Sequence, residues 1–177
     1  GQGTLGQTEN GYLQWQATAN LPIGTIVRLY EPSGWAASTG TVFEASFTGG
    51  AGGTFSLTTS GDQILAYQST TTAKATTANL SQFTFIAAVG SNSTQWGALI
   101  SGTGNLDTNT SDVPPGLTNG VNCVIYGAGP GPEDEFDNVR FDPTLCASVL
   151  GDADAARAII NNASNWIGSN SAWSTVF

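Results

Sequence analysis

The sequence predicts a mostly β domain, a β-sandwich or barrel-like fold, with one short α-helix near the C-terminus. Three observations predict it. Short runs alternate apolar and polar residues at the two-residue period of a strand. Clusters of Gly, Pro, Asn and Ser punctuate those runs as turns do. A single Ala-rich stretch near the end has the propensity of a helix.

The elements follow in order. In Tyr12-Leu13-Gln14-Trp15-Gln16-Ala17-Thr18, Leu13, Trp15 and Ala17 share one face, and Tyr12, Gln14 and Gln16 share the other. Pro22-Ile23-Gly24 turns the chain into a second strand over 25–30, where Val27 and Leu29 face one side. After the break at Pro32-Ser33-Gly34, residues 41–47 alternate again, with Phe43, Ala45 and Phe47 on one face. Beyond the glycines of 49–53, the runs 55–59 and 62–68 flank Ser60-Gly61 as a hairpin would. Residues 69–78 are Thr-rich and read as an exposed connection. Residues 83–89 are continuously apolar, which suits a central strand buried on both faces. A long polar segment over 101–120 precedes a strand at 121–126, and residues 127–138 are Gly- and Pro-rich, then acidic.

The helix is predicted at Ala153, Ala155, Ala156, Ala158, Ile159 and Ile160. Asp152 or Asp154 caps its start, because a carboxylate accepts the orphan N–H groups of the first turn. Asn161-Asn162 ends it. The tail 172–177 alternates once more, placing Trp173, Thr175 and Phe177 on one face. The total is about eight to ten strands and one helix, without a fixed internal repeat.

Size and composition agree with this reading. A chain of 177 residues fits one domain with an arm, here 1–18 as an N-terminal arm or strand and 19–177 as the β domain. Only 10% of residues are charged, against roughly a quarter in typical soluble domains. Thr, Ser, Asn, Gln and Gly supply solubility instead. Five Trp and eight Phe argue against disorder.

Net charge is −9, and the cations are Arg28, Lys74, Arg140 and Arg157. Phosphate backbones and anionic lipid surfaces demand clustered Lys and Arg, so neither nucleic-acid binding nor membrane insertion is expected. No apolar run reaches the roughly 18 residues that span a bilayer. The chain contains no His and no Met. Without His it lacks the commonest general base, and Lys74 is the sole candidate for a Ser–Lys dyad. No catalytic residues are assigned, and the chain is not expected to be an enzyme. The missing initiator Met makes Gly1 read as a processed end, with a signal peptide before it and an extracellular or cell-surface destination.

Cys123 and Cys146 are the only cysteines. In a secreted chain they are expected to form a disulfide across the Gly- and Pro-rich loop between them. Closing a loop of that length is worth about 3 kcal/mol. The alternative is two buried free thiols. Sequons at Asn79, Asn92, Asn109 and Asn162 lie in or beside turn-like stretches that a glycan could occupy. Glu133, Asp134, Glu135 and Asp137 form the densest acidic cluster. Hard oxygen ligands of this kind suit calcium, the one cofactor considered, although the spacing is not that of an EF-hand loop. A solvated acidic loop paired with Arg140 is the competing reading.

The chain carries a further series of short motifs. They are Asn10-Gly11-Tyr12-Leu13-Gln14-Trp15, Pro22-Ile23-Gly24-Thr25-Ile26-Val27, Gly61-Asp62-Gln63-Ile64-Leu65-Ala66-Tyr67-Gln68, Phe83-Thr84-Phe85-Ile86-Ala87-Ala88 and Val113-Pro114-Pro115-Gly116-Leu117-Thr118-Asn119-Gly120. Asp137-Asn138-Val139-Arg140-Phe141 and Ala158-Ile159-Ile160-Asn161-Asn162-Ala163-Ser164-Asn165-Trp166 complete it. In this order they resemble an uncharacterised β-rich module of large secreted and cell-surface proteins of bacteria and some algae. The resemblance implies a surface location and carries no enzymatic activity. In that module additional strands precede the first motif, whereas here only residues 1–9 do. A sheet short of a strand exposes an edge that another chain's strand can fill, as in donor-strand pili.

Two functions are therefore expected of the sequence. The first is a structural subunit of an extracellular filament or matrix, whose partners are copies of itself joined head to tail by terminal strand exchange. Tyr12, Leu13, Trp15 and Ala17 are the expected donor strand, and Trp173, Thr175 and Phe177 the alternative donor. The second is a monomeric adhesion module that binds calcium or a glycan.

Overall fold

The computed structural model describes residues 11–31, 33–48, 55, 63–75, 78–91, 93–96, 112–129, 135–149 and 151–171. Among these residues nine strands fall into four small sheets. The mostly β class, with one short helix near the C-terminus, is the architecture observed.

Strand β1 (Gly11–Gln16) pairs antiparallel with β4 (Thr41–Ser46) along its whole length, from Gly11 opposite Ser46 to Gln16 opposite Thr41. Between them lies a two-residue hairpin, β2 (Leu29–Tyr30) against β3 (Ala36–Ala37). The strand expected over 25–30 is shorter because Thr25 is taken by a turn. Its amide donates to the Pro22 carbonyl at 3.1 Å and its hydroxyl to the same oxygen at 2.7 Å. The hairpin is tied by Ser38, whose hydroxyl accepts from the Arg28 amide at 2.9 Å and whose own amide returns a bond to the Arg28 carbonyl.

The main sheet has the order β5-β6-β7, from β5 (Gln63–Ser69), β6 (Phe83–Gly90) and β7 (Cys123–Ile125). β5 and β6 are antiparallel, whereas β7 runs parallel to β6. β6 is the middle strand, as its apolar run suggests, but it is not buried on both faces. The register passes from Ala66 opposite Ala87 to Tyr67 opposite Phe85, leaving Ile86 as the extra residue of a bulge. Ile86 is 53% exposed, and Thr84 is exposed beside it.

The core lies on the other face of this sheet. Ala88, Cys123 and Ile125 pack with Trp96 and Leu117, and Leu65, Phe85 and Val113 close around them. An adjoining cluster joins Phe83 and Ala75 to Tyr67 and Leu80. The segment over 112–122 is an ordered cover rather than a slack loop. Leu117 donates to the Pro114 carbonyl, Asn122 accepts from the Thr118 amide at 2.6 Å, and Trp96 donates to Asn119 at 3.1 Å.

The C-terminal part adds β8 (Asn138–Phe141) paired antiparallel with β9 (Trp166–Ser169). Helix α1 (Ala153–Ile160) lies between them in sequence. The Asp152 carboxylate caps it by accepting from the amides of Asp154 and Ala155, and Asp154 is left free to pair with Arg157 one turn on. At the other end, orphan carbonyls find side-chain donors. Asn161 donates to Arg157, Asn165 to Ile159 and the Trp166 indole to Ile160. Asn161 also reaches the Val121 carbonyl at 3.0 Å, and Trp166 stacks on Tyr126 with ring centroids 4.7 Å apart. These contacts fasten the helix and β9 to the end of the main sheet. Among the described residues no helix is long and apolar enough to cross a membrane.

Candidate assembly site at the β1–β4 ribbon

Three of the four expected donor residues lie in β1, and the ribbon register shows how they are held. Trp15 faces Val42 and Leu13 faces Glu44, while Tyr12 and Gln14 stand opposite Ala45 and Phe43 on the other side. Ala17 lies beyond the end of the strand and is exposed, so it takes no part in the face. Phe43 shares the face of Gln14 and is 55% exposed, while Val42 is partly covered with Trp15. Tyr12 packs its ring on Phe47 at 5.1 Å.

The anchor of β1 is Trp15. Its indole N–H donates to the Thr39 carbonyl at 2.8 Å. The ring lies on Gly40, whose φ of 76° belongs to the left-handed region. A Cβ at that position would sit 2.6 Å from Trp15 Nε1 and 2.5 Å from the Gln16 carbonyl. The sequence pointed to Trp15 but not to Thr39 or Gly40. The only signal for the receiver was the Ser38-Thr39-Gly40 break before the strand.

The ribbon meets the main sheet at one end. The Thr48 amide donates to the Thr72 carbonyl at 3.0 Å, and the two threonine hydroxyls are 2.7 Å apart. Burial raises the pKa of the Tyr67 phenol, and the nearby Tyr12 phenol raises it further. At the other end, β1 continues into residues 17–28, where only Leu21 and Val27 are even partly covered. Ile23 and Ile26 are 69% and 71% exposed. Ile23 and Gly24 border an open groove of about 210 Å³ against Ala153, Ala156, Arg157 and Ile160 of α1.

The remaining predicted residues are scattered. Trp173, Thr175 and Phe177 lie outside the described residues, as do Asn92, Asn109, Glu133 and Asp134. Glu135 is partly covered, and its Oε2 is buried without a hydrogen-bond partner among the described residues. Asp137 is exposed. No group of three or more His, Cys, Asp or Glu able to hold a metal occurs among the described residues. Asp142, outside that cluster, has its pKa lowered by the hydroxyl and amide of Thr144, and Arg140 adds to the effect.

No disulfide is seen between Cys123 and Cys146, the expected pair. Both are free thiols and both are buried. Cys123 is fully enclosed at the start of β7 and serves as a small apolar side chain of the core. Burial pushes its thiol pKa up to about 11, which suppresses the thiolate needed for exchange chemistry. The two described sequons differ. The Asn79 amide donates to the Lys74 carbonyl at 2.9 Å and the residue is partly covered. Asn162 is exposed, and its carbonyl oxygen accepts from the Ser164 amide and hydroxyl.

No protein-family model, curated protein or solved structure matches the chain.

Proposed function

We propose that the chain is a structural subunit of an extracellular filament or matrix, assembled head to tail by exchange of strand β1 between copies. One observation carries this reading. β1 makes its strand pairing with β4 alone among the described residues, and an exposed connection over 17–28 joins it to the rest. A strand attached in this way can leave its own β4 and make the same contacts on the β4 of a neighbour. Because the contacts are identical, the balance between closed and exchanged forms rests on the connection and on concentration. The Pro22–Thr25 turn is the part of that connection whose hydrogen bonds exchange would put at risk. A head-to-tail contact that does not close on itself extends into a fibre. The low charge and the Thr-, Ser-, Asn- and Gly-rich composition suit an extracellular setting.

Electron microscopy and size-exclusion chromatography of the full chain and of a chain lacking residues 1–18 test the reading. Fibres from the first and soluble monomers from the second are expected. Fibres from both would remove β1 from the mechanism.

A second reading has one observation in its favour. The Glu135 Oε2 is buried without a hydrogen-bond partner among the described residues, in a sequence run with Glu133, Asp134 and Asp137, and a carboxylate oxygen is the ligand type that calcium takes. It predicts a monomer whose melting temperature rises with millimolar calcium and returns with chelator. An unchanged melting curve contradicts it.

A further inference from the structure

We infer that Trp15 is the residue by which one copy recognises the next, and that Thr39 and Gly40 form the socket that receives it. The inference rests on the strand-exchange reading and adds to it a determinant of partner choice.

The argument starts from what else β1 offers. Gln14 and Gln16 are exposed and flank Trp15, whose indole is held by a directed hydrogen bond. Backbone pairing with β4 is indifferent to sequence, so it cannot by itself select a partner strand. Selectivity must come from a side chain that meets a shaped receiver. Trp15 alone in β1 combines partial burial, a directed hydrogen bond and a receiver that tolerates no added atom. An indole N–H only donates, and the Thr39 carbonyl is the acceptor placed for it. The ring occupies the space that any β-carbon at residue 40 would claim. Gly40 is therefore required twice, by its left-handed backbone and by the closeness of the indole.

The fitting partner is the β1 segment of a second copy, an extended strand with Trp at this register. Phe at position 15 would fill much of the volume but leave the Thr39 carbonyl without its donor. The socket lies wholly on residues 39–42 and the strand wholly on 11–16 of the same chain, so the two halves sit on separate segments that strand exchange would bring together between copies.

Complementation of full-length variants tests this. Trp15→Ala destroys the key and keeps the socket; Gly40→Ala destroys the socket and keeps the key. Each alone should remain monomeric by size-exclusion chromatography where the unaltered chain assembles. Mixed in equal amounts, they should give a dimer that grows no further, because one productive junction is possible. Against the vacated socket of Trp15→Ala, the strand of a Trp15→Phe, Gly40→Ala chain, its fold checked by circular dichroism, should bind about tenfold more weakly than the strand of Gly40→Ala, through the lost hydrogen bond. Assembly of Trp15→Ala or Gly40→Ala at the level of the unaltered chain would overturn the inference. So would a mixture that stays monomeric while the unaltered chain forms fibres. A mixture that dimerises while the unaltered chain stays monomeric would sink the filament reading and leave the socket standing.

Discussion

The ribbon of β1 and β4 and the main sheet of β5, β6 and β7 are built from similar sequence and held in different ways. In β7 all three residues are buried, and Ala88 of β6 is 2% exposed. In β1 and β4 only Gly11 is buried, and the best-covered large side chains remain partly exposed. The main sheet is stabilised by the hydrophobic effect, through clusters that draw on distant parts of the chain. The ribbon relies on backbone pairing, one indole bond at one end and one ring contact, Tyr12 on Phe47, at the other. The lesson is that similar β-forming sequence can give a strand enclosed in the core and a strand left largely at the surface. Local stability, not strand propensity, separates them.

That contrast can be broken or sharpened by substitution. The largest effect is expected in the main sheet. Ile125 is 3% exposed and packs against Gly90, so Ile125→Ala should cost about 2–5 kcal/mol in chemical denaturation. A loss below about 1 kcal/mol would mean that this sheet is not the stable half. The helix, which locks the end of the main sheet through Asn161 and Trp166, comes next. Removing its cap with Asp152→Ala should cost about 1 kcal/mol. The ribbon should be more tolerant. Phe43→Gln removes a large apolar side chain that is already 55% exposed, and the expected change is under about 1 kcal/mol. A loss as large as that at Ile125 would show the ribbon to be a full part of the core.

The smallest effect concerns pH. The depressed pKa of Asp142 contributes stability above its unfolded value near 3.9, and that contribution is lost as pH falls through the folded pKa. Asp142→Asn should lower stability slightly at neutral pH, leave the most acid end unchanged and so flatten the acid limb of a pH–stability curve. Because the carboxylate is fully exposed, a large change at neutral pH would contradict this assignment.

What was legible in the sequence follows from how locally each feature is determined. The helix was legible residue by residue, since Asp152, the alanines and Asn161 act within one turn of the bonds they make. The motif from Asn161 to Trp166 was legible as a motif, and its meaning emerged only with the Arg157, Ile159 and Ile160 carbonyls in place. β1, β4, β5 and β6 were each visible from alternation or apolar run. Their registers were not. Nothing local to residues 83–89 places a bulge at Ile86, because it arises from the match to β5. β8 and β9 escaped notice as strands because each has four residues and finds its partner across the helix. The glycines and prolines between the cysteines suggested exposure, whereas the tertiary fold encloses both side chains. The socket at Thr39 and Gly40 was invisible for the same reason as the bulge. It exists only once Trp15 has been brought to it.

The central claim is that β1 pairs with the β4 of another copy, and cross-linking across the register tests it most directly. Tyr12 and Ala45 stand opposite each other in the ribbon. A Tyr12→Cys chain and an Ala45→Cys chain, mixed under assembly conditions and oxidised, can form the 12–45 disulfide only between molecules. The account predicts a covalent heterodimer on a non-reducing gel. If the heterodimer is absent, and the double variant cross-links only within one chain and runs as a monomer, β1 stays at home and strand exchange is contradicted.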